Sequence, residues 1–191
     1  MTNYLYNIDS INYLVKYYKS INDYDNMIKY LKMGVDNNNI NSINNLAEYY
    51  KSIEDYDNMI IYLKIGVDNN NIDSIDYLAE YYYFIEDYDN MIKYLKLGID
   101  NNDINSMLNL GKYYYSIKNY DLMILYYDMT IKYNNIESIN YLTSYYKFIK
   151  DYNNMIKYLK LGVDNNDIKS INNLASYYKS IKDYDNMIKY L

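Results

Sequence analysis

The chain has 191 residues, with 19 lysines and no arginine set against 25 Asp and Glu, and a formal net charge of −6. Proteins that hold nucleic acid usually neutralise phosphates with a basic stripe, so this balance argues against a nucleic-acid partner. Without Cys or His there is no disulfide framework, no thiolate or imidazole metal site and no cysteine or histidine catalysis.

The first stretch, Met1–Asn7, lacks the basic segment and apolar run of a signal peptide and reads as a cap or frayed lead-in. No run in the chain approaches the roughly 18 apolar residues of a membrane span, so no membrane partner is expected. No Asn-x-Ser/Thr acceptor occurs despite the many asparagines. Together these features suggest an intracellular, cytoplasmic protein.

From Ile8 onward a unit of 32 residues recurs without insertion or deletion. Ile8, Ile40, Ile72, Ile104, Ile136 and Ile168 open its six copies. A fixed period of this size is the signature of a stacked array, in which each unit buries its apolar face only against its neighbours. In copy one, Ile11, Leu14, Val15 and Tyr18 fall at i, i+3, i+4 and i+7, which predicts a helix from about Ser10 to Ser20. Ser10 and its equivalents Ser42, Ser74, Ser106, Ser138 and Ser170 stand where a hydroxyl can cap that helix.

A second helix is expected from near Asp23, with Asp25 favourable to its dipole and Tyr24, Met27, Ile28, Leu31 and Val35 on its apolar face. Gly34 recurs as Gly66, Gly98 and Gly162. A glycine within a helix costs about 1 kcal/mol against alanine. Its recurrence therefore implies either close approach of another helix or the end of the helix. Asp36–Asn39 supplies the turn, since Asn tolerates left-handed backbone. Copy four departs most: Thr130 replaces the glycine, Lys132 the aspartate and Tyr127 the leucine. Copy six stops at Leu191, within its second helix. No shift of composition marks a boundary, so one domain over 1–191 is expected.

The unit resembles the tetratricopeptide repeat and its relative the Sel-one-like repeat. The matching positions in copy one are Ile11, Leu14, Val15, Tyr18, Met27, Leu31 and Asn39, with Asn22-Asp23-Tyr24-Asp25 as the inter-helix turn. Gly111 restores the family's glycine in copy four. The family's Trp and Pro are absent, and the period is 32 rather than the usual 34 or so. The resemblance implies an all-α solenoid of about six helix-turn-helix repeats, starting near 8, 40, 72, 104, 136 and 168. It also implies a protein–protein interaction scaffold whose first helices line a concave groove.

Tyrosine dominates the composition, with 33 copies. The columns of Tyr17, Tyr18, Tyr24 and Tyr30 are complete in all six repeats. They could stack nucleic-acid bases. Recurrence at helical spacing instead favours packing between helices, with each hydroxyl reaching water or backbone. Runs such as Asp100-Asn101-Asn102-Asp103 lack the layout of a calcium loop, so no metal or other cofactor is expected. Carboxylate pairs such as Glu54 and Asp55 lie in turns, and nothing selects one for catalysis. The expected role is non-catalytic, with a carboxylate-based enzyme as the lesser alternative.

Residues that differ between copies point to a binding surface. By the resemblance, the groove columns are those of Asp9, Asn12, Lys16, Lys19 and Ser20. Phe84 and Phe148, the chain's two phenylalanines, stand where the other copies carry Ser. Tyr83 and Tyr115 interrupt a column of lysines. With Lys51, Lys112 and Lys147 they form the expected partner site, suited to a segment with apolar and some acidic side chains. A weaker expectation is self-association through the C-terminal repeat, whose Met187, Ile188, Tyr190 and Leu191 are apolar.

Overall fold

Each 32-residue copy folds into a helical hairpin. The structure, a computed structural model, describes residues 7–190. The first helices are α1 (Ile8–Ser20), α3 (Ile40–Ser52), α5 (Ile72–Phe84), α7 (Ile104–Ser116), α9 (Ile136–Phe148) and α11 (Ile168–Ser180). The second helices are α2 (Tyr24–Asp36), α4 (Tyr56–Asp68), α6 (Tyr88–Asp100), α8 (Tyr120–Ile131), α10 (Tyr152–Asp164) and α12 (Tyr184–Lys189). The fold is all-α, a solenoid of repeats. The chain forms two compact units, Met1–Asp103 with α1 to α6 and Ile104–Leu191 with α7 to α12. The N-terminal lead-in, apart from Asn7, and Leu191 lie outside the described residues.

The first helices begin about two residues earlier than the periodicity predicts, and their caps are different residues. Asn7, Asn39, Asn71, Asn135 and Asp167 occupy the cap, each accepting a bond from the backbone N–H three residues on. That N–H belongs to the serine expected to be the cap. The serine itself is already inside the helix, and Ser42, Ser74, Ser138 and Ser170 are buried. Caps of the second helices fall where expected, with Asp23 accepting from the backbone N–H of Asn26.

The buried serines explain the recurring glycine. A Cβ on Gly34, Gly66 or Gly162 would collide with the side chain of Ser42, Ser74 or Ser170 respectively. The glycine thus serves close approach between the second helix of one repeat and the first helix of the next. In copy four the device changes: the Thr130 hydroxyl lies 2.8 Å from the Tyr127 carbonyl oxygen and 2.5 Å from the Ser138 hydroxyl.

In the first unit the core is a stack of identical layers: Ile43 and Ile75, Leu46 and Leu78, Met27, Met59 and Met91, Leu31, Leu63 and Leu95 are all buried. Burying one such side chain stabilises by about 1.5–3 kcal/mol. The second unit repeats the pattern with Leu110, Leu142 and Leu174.

Tyrosines form a ladder beside this core. Within a hairpin the rings of Tyr50 and Tyr62 stack at 5.5 Å and 4°, and Tyr49 meets the edge of Tyr50 at 5.4 Å. Between hairpins, Tyr24 lies 5.7 Å from Tyr49, and Tyr56 lies 5.5 Å from Tyr81. The second unit repeats the motif, with Tyr146 on Tyr158 at 5.4 Å and Tyr152 near Tyr177 at 5.6 Å. These columns therefore pack helices together. Burial drives the Tyr158 phenol well above its ordinary value, assisted by the Asp128 carboxylate that accepts its hydroxyl at 2.9 Å.

Candidate partner-binding surface

Phe84 and Phe148 are the last residues of α5 and α9. Phe84 belongs to the first unit and Phe148 to the second. Each is 81% exposed, the highest value among the large apolar side chains described. Their serine equivalents use the position for local bonding: the hydroxyls of Ser20, Ser52 and Ser180 donate to the carbonyl oxygens of Tyr17, Tyr49 and Tyr177 at 2.6 Å. A phenylalanine gives up that bond and places a ring in water. Neither change serves the packing of the helix.

The neighbouring tyrosines are exposed but not isolated. Tyr83 meets Tyr88 edge-on at 6.2 Å, and Tyr115 lies 6.4 Å from Tyr120, so each folds back over its own inter-helix turn. Lys112 forms an ion pair with Glu137 of α9 at 2.8 Å. Lys147 is exposed on α9, next to Phe148. Lys51 places its ammonium 5.3 Å over the ring of Tyr77 on the following first helix.

In the first unit, consecutive first helices stand apart enough to leave cavities between them, floored by the second helix. One of about 400 Å³ has Val15 and Lys19 of α1 on one wall, Asn45 and Glu48 of α3 on the other, and Met27 and Leu31 of α2 beneath. The next, about 280 Å³, lies between α3 and α5 over Met59 and Leu63 of α4, with Ala47, Glu48, Lys51 and Tyr77 around it. Sequence variation brought Lys51 to notice but not Glu48 as a shared wall, nor Tyr77. A signal for Tyr77 was present in its column, where Tyr13, Asn45, Tyr77, Asn109, Tyr141 and Asn173 alternate copy by copy.

Asp76, beside Tyr77 on α5, carries a carboxyl pushed up to about 6, chiefly by burial and then by the charges of Asp103 and Asp73. Its Oδ1 is buried without a hydrogen-bond partner. No group of three or more acidic side chains converges to hold a metal among the described residues.

The tetratricopeptide repeat family matches residues 168–191, the sixth copy. The solved structure of MamA protein is similar with a TM-score of 0.54, at 22% identity, over 81% of this chain and 88% of that one. This is a tetratricopeptide-like helical repeat protein. No curated protein matches the chain. The tetratricopeptide-like array contains no helix, among its described residues, that is long and apolar enough to cross a membrane.

Proposed function

We propose that the chain is a non-catalytic, intracellular scaffold that binds a segment of another protein along the face built by its first helices. The six repeats would act as one interaction domain over 1–191. Solenoids of stacked helix pairs offer extended surfaces for such segments. The observation that carries the reading is the pair Phe84 and Phe148, each a solvated ring where sibling repeats keep a bonded serine. Aromatic anchors ringed by polar groups dominate the energy of many interfaces. In the first unit Tyr83 and Lys51 would flank Phe84, and in the second Tyr115, Lys112 and Lys147 would flank Phe148, with the lysines favouring acidic residues in the partner.

The test is the double substitution Phe84→Ser with Phe148→Ser. Both changes restore the residue of the sibling repeats together with its hydroxyl-to-carbonyl bond, so thermal stability should hold. Affinity for a peptide selected from a display library on the wild-type chain should fall by about 2 kcal/mol or more. Unchanged affinity would remove these rings from the site, and a drop in melting temperature would assign them to packing instead.

A further inference from the structure

Copies two and four treat the same place in opposite ways. Between α3 and α5 there is a cavity of about 280 Å³ bordered by Ala47, Leu63 and Tyr77. One pair of repeats later, in the second unit, the equivalent residues are Gly111, Tyr127 and Tyr141. There the ring of Tyr127 is fully buried and stacks on Tyr141 at 5.1 Å and 7°. A Cβ on Gly111 would come within 2.6 Å of that ring, so the glycine is what admits it. In copy four the protein fills with its own tyrosine the position that copy two leaves open.

We propose that the cavity between α3, α4 and α5 receives a tyrosine side chain from the bound partner segment, its ring stacked on Tyr77. The proposal rests on the scaffold reading and names what the partner presents. The size is adequate, since an apolar cavity of about 150 Å³ already admits benzene. Ala47, Met59 and Leu63 give the ring an apolar bed, and Tyr77 offers the face that Tyr141 offers to Tyr127 once the Lys51 ammonium, 5.3 Å over that ring in the structure, swings aside. The polar end also fits. Lys51 and Glu48 border the cavity and can bond a phenol hydroxyl, Lys51 as donor and Glu48 as acceptor. In copy four those columns hold Tyr115 and Lys112, and the Tyr127 hydroxyl is buried without a bond. The first cavity, between α1 and α3, has Asn45 in place of Tyr77 and lacks the stacking face.

The probe is p-cresol, the tyrosine side chain cut at Cβ, titrated into the isotopically labelled full chain and followed by amide shifts. Saturable binding at one site is expected, with the largest shifts at Ala47, Lys51, Leu63 and Tyr77. Ala47→Gly with Leu63→Tyr transplants the copy-four filling and should abolish that site, weakening binding at least tenfold. Gly111→Ala with Tyr127→Leu makes the reverse exchange and should open a second site beneath Tyr141. Should either double variant lose its helical circular dichroism, Tyr77→Asn, the sibling residue, should still weaken p-cresol by about 2- to 10-fold through loss of stacking. Shifts centred elsewhere, no saturation up to the solubility limit, or p-cresol binding indifferent to these variants would overturn the proposal. A selected peptide that binds the Ala47→Gly, Leu63→Tyr chain as well as wild type would overturn the tyrosine receptor and leave the scaffold reading standing. Failure of every peptide to bind wild type would instead count against the scaffold.

Discussion

Asp76 is the charged member of a column that reads Asn12, Asn44, Asp76, Leu108, Asn140 and Asn172. Burial and two neighbouring carboxylates hold its pKa near 6, whereas an unfolded Asp titrates near 3.9 or so. The folded state therefore keeps this proton more firmly than the unfolded one. The stability it contributes is complete below about pH 4 and is lost as pH rises through 6. Asp76→Asn should flatten that slope and raise stability at pH 7 by ~1 kcal/mol, a figure discounted for the partial exposure of the carboxyl. Urea unfolding at pH 4.5 and pH 7 would show it, and a variant that tracks wild type at both would refute it. Such a residue is invisible as a pattern. Sequence shows that it differs from its siblings, as it shows for Phe84, but not that one is half-buried beside like charges and the other lies in water.

At the scale of the element, hairpin positions were readable because apolar residues at i, i+3, i+4 and i+7 can face a core only as a helix. Cap identity was less readable, since Asn and Ser three residues apart are both capping types and only the backbone shows which lies outside the helix. Turn chemistry was half readable. Asn38, Asn70 and Asn166 take the left-handed backbone expected of Asn. Glu54, Glu86, Lys118 and Lys150 take it too, although long side chains have no preference for it. There the helix end imposes the geometry: the N–H of Asp55 donates to the Tyr50 carbonyl and that of Glu54 to the Lys51 carbonyl. The glycine column left two explanations open, and its contact with serine decides for close approach. Gly66→Ala should accordingly destabilise by about 1–3 kcal/mol through overpacking against Ser74, despite the better helix propensity of alanine. Guanidinium unfolding of the variant measures this, and a gain in stability would show that the two helices can part at little cost.

For the molecule as a whole, the period alone carried most of the fold. One unit solved by its neighbours is solved in every copy, so a reading of copy one extends to α1 through α12. What repetition could not show is where it is broken to useful effect, because Tyr127 and Gly111 look like drift until they are seen to exchange volume across two helices. Nearest-neighbour stacking also predicts how the chain responds to shortening. Deleting Ile168–Leu191 should leave a helical and soluble protein of lower melting temperature, since α10 loses α11 while the other layers keep their partners. Circular dichroism that shows loss of all helix in this truncation would point to one indivisible core instead.

The tyrosine ladder sets an alkaline boundary on the life of the array. Burial raises the phenols of Tyr50, Tyr82, Tyr94, Tyr114, Tyr126 and Tyr146 above their ordinary value near 10. Above that value an unfolded phenol gives up its proton before a stacked one does. Each rung therefore supports the fold up to about pH 10 and turns against it beyond. The rungs are shared between helices and between repeats, so ionising one ring loosens the seat of the next. Tyrosinate absorbance should accordingly rise late and steeply, in step with the loss of helix, rather than as a broad succession of independent titrations.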